Sequence, residues 1–365
     1  MTLQGVIANA MCLAFVALGH ALVIDEVSDG QWFHQYLRTP EAHALSRGNN
    51  VKVALLDSGV DADHADLADS VLPGTDLTST SGGNGRIDSD GHGTAMAGII
   101  AATGRVSGMA PEARVLPVRT TVSTSGAVSA LAQGIRWAVA NEADVVSISR
   151  VVDEDDLLLR QEAEAAIRAD VVVVAAVGNR PTHQRVRYPA AISGVMAVAG
   201  VDRNGNRSRI SVAGPEVDIA APSDNISSTD KGGGYREGTG TSDAAAIVAG
   251  AVALVRARYP NLKAQEVIRR LTATATDRGA PGRDDEYGHG VLNIVAALTA
   301  ELPGETVSPG VSATARVSAS VAVARPEMPG GGRFPWWVLG TIPAAVIVGV
   351  IWLRRRRTGR YSTGG

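Results

Sequence analysis

Seven consecutive apolar residues, Val171-Val172-Val173-Val174-Ala175-Ala176-Val177, run between Asp170 and Gly178. A run this short, rich in β-branched residues and with no polar face, reads as a strand buried on both sides. The segments Val51 to Leu56, Arg114 to Arg119, Asp144 to Ser149 and Val195 to Val201 read as further strands. Between and after them, His92 to Ala102, Ala127 to Asn141, Asp156 to Arg168, Asp243 to Tyr259 and Lys263 to Ala275 have helical character, and Pro260 stops the fourth of these. Strands that alternate with helices predict a parallel α/β sheet. With 45% hydrophobic residues, the 365-residue chain can fill a large core, and it contains no internal repeat.

Both ends read as membrane addresses. Val6 to Leu18 is apolar, and Gly19-His20-Ala21 places small residues before a cut after Ala21, so residues 1–21 are expected to be a signal peptide, although no Lys or Arg precedes the run. Phe334 to Leu353 carries no charge and, at ~1.5 Å per residue, spans a ~30 Å hydrocarbon core. Trp336, Trp337 and Trp352 lie near its ends, and Arg354 to Arg357 come directly after it. A basic block of this kind stays in the cytoplasm, so residues 334–353 are expected to cross a cell membrane once, with 354–365 inside and the rest outside. Residues 304–333, rich in Pro, Ala and Ser, read as a linker. The main domain is then 22–303. Its first part, with Trp32, Phe33 and Tyr36, is too short to fold as an independent domain and should pack on the rest of 22–303.

The net charge of −3 gives no nucleic-acid signal. The single cysteine, Cys12, lies in the leader, which excludes cysteine catalysis, a thiolate zinc site and an intrachain disulfide in the mature chain. The acidic residues between Asp76 and Asp90 have no convincing calcium-loop spacing, and no metal or cofactor is expected.

Three segments carry chemistry. Asp57 closes the strand Val53-Ala54-Leu55-Leu56, where a carboxylate fixed by a sheet can orient an imidazole. His92 sits in Asp90-Gly91-His92-Gly93-Thr94 at a helix start, where flanking glycines allow close approach and the ring suits a general base. Ser242, in Gly238-Thr239-Gly240-Thr241-Ser242, opens a long helix whose unpaired amides favour an oxyanion. Asp, His and Ser in this chain order match one of the known orders of the nucleophile–base–acid triad. Asn179, just past the strand Val171 to Val177, adds a candidate amide donor to an oxyanion hole.

These strings resemble the subtilase family of serine peptidases over about Val51 to Leu298, including Tyr287-Gly288-His289-Gly290-Val291-Leu292-Asn293. With the leader, the linker and the anchor, the chain resembles the mycosins within that family, the membrane-anchored subtilases of type VII secretion systems. The resemblance implies a three-layer α/β/α sandwich, endopeptidase activity on protein or peptide substrates, and the secretion machinery as a partner. It also implies that substrate pairs with the strand Ser147 to Val151. Four departures from the family pattern stand out. Ala246 replaces a proline, Asp243 replaces an apolar residue after the serine, Ser149-Arg150-Val151 replaces Ser-Leu-Gly, and mycosin-like disulfide cysteines are absent. The third is the most consequential, because Val151 narrows the pocket beside it and Arg150 adds charge to the substrate strand. The altered strand also keeps open a second reading, a structural component of a secretion complex with a little-used triad.

Overall fold

Seven strands form one parallel sheet in the computed structural model, which describes residues 26–78, 82–121, 128–303 and 305. They are β1 (Lys52–Asp57), β2 (Thr75–Asp76), β3 (Arg114–Arg119), β4 (Val145–Ile148), β5 (Val172–Ala176), β6 (Met196–Val201) and β7 (Ile219–Pro222), in the order β2-β3-β1-β4-β5-β6-β7. Each neighbouring pair is parallel. A two-stranded antiparallel ribbon, β8 (Ile226–Asp230) with β9 (Gly234–Gly238), stands apart from the sheet.

Strand residues alternate between two apolar layers, as the two-residue period requires. Val53 and Leu55 of β1 face one core together with Val172, Val174, Met196 and Val198. Ala54 and Leu56 face the other, with Val146, Ile148, Val173 and Ala175. Three short N-terminal helices, α1 (Glu26–Asp29), α2 (Phe33–Tyr36) and α3 (Thr39–Leu45), precede the sheet. On the first face lie α4 (His92–Ala101) and α7 (Thr241–Arg258); on the second lie α5 (Val128–Ala140) and α6 (Leu157–Arg168). The last helices, α8 (Ala264–Ala273) and α9 (Ile294–Thr299), join the first face. Helix α7 is buried from Thr241 through Arg256, which explains why its sequence is apolar on all sides instead of striped.

Helix ends follow local chemistry. Asp156 caps α6 by accepting the Leu159 N–H at 2.8 Å, so the helix begins one residue later than the sequence pattern implies. The N-terminal segment packs on the main body: Trp32 and Phe33 are buried, and the Trp32 indole N–H donates to the Asp224 carbonyl at 2.9 Å. At the other end the packed body reaches past 303. The Glu305 side chain, only 4% exposed, pairs with Arg270 and accepts from Arg269 at 2.9 Å. Arg270 is itself buried and also donates to the Ala297 carbonyl at 2.6 Å and the Tyr259 hydroxyl at 2.9 Å. Among the described residues no helix is long and apolar enough to cross a membrane. The segments 1–21 and 334–365 lie outside the described residues, as does nearly all of 304–333.

Candidate active site

The chain winds from β1 towards β3 on one side and continues through β4 on the other. A sheet that reverses its order in this way opens a crevice at the carboxyl ends of the strands beside the reversal, where ligands of such sheets bind. Asp57 is the last residue of β1, and Arg150 stands two residues beyond β4. Both therefore belong to this crevice.

His92 is the first residue of α4. Its Nδ1 lies 2.9 Å from each Asp57 carboxylate oxygen. Asp57 is buried, and its Oδ1 also accepts the Ser58 N–H at 2.8 Å. Burial pushes the Asp57 carboxyl up, but His92 and then Arg150 outweigh it and hold the group below its ordinary value. An ionised carboxylate can only accept, so Nδ1 carries a proton and donates it to Asp57, which points Nε2 away from the carboxylate.

The turn into α4 explains why glycines flank His92. Gly91 adopts φ = 100°, and a Cβ on it would lie 2.3 Å from Asp230 Oδ1. The orphan amides of the helix start are satisfied by two aspartates and, at Gly93, by the Ser58 hydroxyl. Asp88 accepts from the Gly91 N–H, the Thr94 N–H and the Thr94 hydroxyl, and Asp90 Oδ1 accepts the His92 N–H at 3.1 Å. The sequence string around His92 includes Asp90 but gives neither aspartate a capping role, although acids two and four residues before a helix-opening His are a capping signal.

Ser242 is the second residue of α7. It shares one cavity with His92, Asn179, Arg150, Asp243 and Arg236. The Asn179 amide is oriented by its neighbours: its Oδ1 accepts from both the backbone N–H and the hydroxyl of Thr241, each at 2.9 Å. A backbone N–H can only donate, so the oxygen must face Thr241, and the Nδ2 donors are turned away from it. A Cβ on Gly240 would stand 3.4 Å from that Nδ2, so the glycine keeps the space beside the amide clear.

The four residues expected on the substrate strand separate. Ser147 is buried inside the sheet, paired in register with Leu55 on β1 and Val174 on β5, and offers no free edge. The pairing of β4 ends at Ile148, so an open edge begins only at Ser149. Val151 is half-buried against the first core, and Val152 exchanges backbone hydrogen bonds with Tyr188 at 2.9 and 3.2 Å. Arg150 turns inward: its Nε donates to Asp57 Oδ1 at 3.3 Å and its Nη2 to Asp90 Oδ1 at 2.9 Å. No sequence signal links Arg150 to partners 93 and 60 positions away. Asp243, the acid that comes after Ser242, is buried beside the cavity. Burial pushes its carboxyl up to about 7 against the opposing pull of His92, its own backbone amide and Arg236. Among the described residues no cluster of His, Cys, Asp and Glu could hold a metal ion.

A doubly wound parallel sheet, with an acid–base pair and a serine at its crevice, is an α/β fold of the subtilisin type. The family model described as the subtilase family matches residues 48–290, and the chain belongs to that family of serine endopeptidases. Among curated proteins it is 38% identical over 267 residues to a thermostable alkaline protease of Halalkalibacterium halodurans, spanning 72% of each chain. It is also 38% identical over 258 residues to subtilisin DY of Bacillus licheniformis, spanning 69% of this chain and 92% of that one. Among solved structures it resembles MycP1 from Mycobacterium smegmatis, with a TM-score of 0.66 and 31% identity over 74% of this chain and 85% of that one. It is equally similar to the MycP3 protease from the type VII (ESX-3) secretion system, with a TM-score of 0.64 and 32% identity over 74% of this chain and 88% of that one.

Proposed function

We propose that this subtilase hydrolyses peptide bonds outside the cell through Ser242, His92 and Asp57, while tethered to the membrane by residues 334–353. The observation that carries the reading is the His92 ring, bonded at 2.9 Å to buried Asp57 and sharing a cavity with Ser242 and Asn179. Ser242 Oγ attacks the scissile carbonyl carbon, and His92 Nε2 takes the hydroxyl proton. Negative charge then develops on the carbonyl oxygen, where Asn179 Nδ2 and the Ser242 backbone N–H at the start of α7 donate to it. His92 passes its proton to the leaving amine as the C–N bond breaks. Water, deprotonated by His92, releases the acyl group and restores Ser242. Asp57 stays ionised throughout, holding the ring and stabilising the imidazolium. Ser149, Arg150 and Val151, the residues directly after β4, form the edge along which the substrate chain lies, with Ser147 supporting it from inside the sheet.

The tether is supported by the uncharged run 334–353 and the four arginines directly after it. An association with type VII secretion is supported by the likeness to MycP1 and MycP3.

A fluorophosphonate probe tests the mechanism directly. The wild-type chain should be labelled covalently and Ser242→Ala should not, with the two proteins unfolding alike. A correctly folded wild type that resists the probe would point instead to a structural component of a secretion complex. That second reading draws on Arg150 and Val151 standing where the family has Leu and Gly.

A further inference from the structure

Two carboxylates grip His92 at different places. Asp57 accepts from its ring at 2.9 Å, and Asp90 Oδ1 accepts from its backbone amide at 3.1 Å. One guanidinium reaches both acids: Arg150 Nη2 donates to Asp90 Oδ1 at 2.9 Å and Nε to Asp57 Oδ1 at 3.3 Å. The Arg150 side chain is 9% exposed, so these contacts are made largely away from water, where charge counts for more. They close a loop through Arg150, Asp57, His92 and Asp90.

We infer that Arg150 is a positioning residue of the reaction: it braces Asp57 and Asp90 around His92, offsets their negative charge, and so sets the acidic edge of activity. The inference rests on the triad reading for its link to catalysis.

The physical argument concerns charge. Two acids beside one imidazole favour proton uptake by the group as a whole, and a cation bonded to both opposes it. Other charged groups around the Asp57–His92 pair are Asp88, which accepts the Gly91 and Thr94 amides, Asp243 on α7, which interacts with His92 through space, Arg236 on β9, which lines the same cavity, and Asp230, which abuts Gly91. The Arg150 contribution is visible at Asp57, whose carboxyl is held down by His92 and Arg150 despite its burial. A rigid fork suits the geometry as well, because one planar group satisfies two carboxylates at once, which an ammonium on a flexible stem does poorly.

The test measures the rate of fluorophosphonate labelling against pH in the full-length protein. Arg150→Gln should move the acid limb upward by about one pH unit, a roughly tenfold loss of rate on that limb. Asp90→Asn keeps an oxygen for the His92 amide but removes the opposing charge, so it should move the limb downward. Arg150→Lys keeps the charge but not the fork. It should hold the midpoint while lowering the plateau rate. If Arg150→Gln and Asp90→Asn both lower the rate at every pH without moving the limb, Arg150 is only a structural support and the inference is overturned. Should Arg150→Gln not fold, Arg150→Met, which removes the same charge on an apolar stem, carries the same expected upward move, and an unmoved limb there overturns the inference. A wild type that is never labelled defeats the triad reading alone. In that event the titration of the His92 ring in the same proteins, monitored by NMR and assigned by loss of its signal in His92→Gln, should show the same opposite shifts.

Discussion

Gly93 lies so close to Gly59 that a Cβ built on it would stand 2.0 Å from the Gly59 carbonyl oxygen. This contact brings the first turn of α4 against the turn after β1, and so brings His92 to Asp57. The Gly93 N–H donates to the Ser58 hydroxyl at 3.0 Å across the same junction. Gly93→Ala must push α4 away from the turn. We expect a destabilisation of about 1–3 kcal/mol, the usual cost of overpacking, together with a fall in the rate of probe labelling larger than the stability loss explains. Thermal unfolding and labelling rates on the same protein check this, and wild-type values for both would show that the junction is slack.

Asp243 gives stability a pH dependence of definite sign. In the unfolded chain its carboxyl loses its proton near 3.8, whereas in the folded protein it keeps it up to about 7. The folded state binds the proton more tightly. The stability this provides is therefore complete below about pH 4 and is lost as the pH rises through 7. Asp243→Asn removes the titration while keeping the shape. Relative to wild type it should gain stability between pH 5 and pH 8, by at most about 3 kcal/mol. Denaturant melts at those two pH values measure the difference, and an Asn variant that tracks the wild type at both would contradict a titration in this range.

Asn179 is proposed to act through Nδ2 while its oxygen holds Thr241. Asn179→Asp keeps an acceptor for Thr241 and loses the donor. It should leave the unfolding temperature nearly unchanged and lower kcat by roughly 10²–10³-fold, with little effect on KM; that magnitude was established for a subtilisin asparagine. A variant that turned over at the wild-type rate would remove Asn179 from the oxyanion hole.

Val151 is proposed to narrow the substrate groove where β4 opens at Ser149. Small residues at the position before the cut should be preferred to Phe or Tyr. Val151→Gly should raise kcat/KM for the large residues by roughly 10–200-fold, the range that one or two methyl groups command in a pocket. A peptide library profiled with both proteins reads the outcome, and an unchanged preference for aromatic residues in both would exclude Val151 as a selector.

Much of this architecture is legible in the sequence, for physical reasons that particular segments display. Val172 to Ala176 could only be an interior strand, because no side of it tolerates water. The helix at Thr241–Arg258 is likewise marked by its run of Ala, Ile, Val and Leu from Ala244 to Val255, broken only by Gly250. The β8–β9 ribbon is not marked in this way. Its Ile226-Ser227-Ser228-Thr229 is polar in sequence yet buried in the fold, since Ser228 and Thr229 donate their hydroxyls to the Ala95 and Thr94 carbonyls at 2.7 Å. Side-chain bonds to a distant helix leave no periodic trace. Strand β7, four residues of Ile-Ala-Ala-Pro, is too short to have a period at all. In the site, Asp57, His92 and Ser242 are each announced by their local strings, because glycines and a helix start accompany the last two. Arg150 is not announced. A charged residue after an apolar strand says nothing of two carboxylates that the fold brings to it.

The ion pair between Arg270 and Glu305 has a practical consequence for any soluble form of the enzyme. Cutting the chain at Leu302 would discard the carboxylate and leave a buried guanidinium with only neutral oxygens around it, a defect of roughly 3–5 kcal/mol. Cutting a few residues after Glu305 would preserve it. Of two truncations differing by a handful of residues outside every recognised motif, the longer should be secreted and purified intact and the shorter should melt well below it, as scanning calorimetry would record.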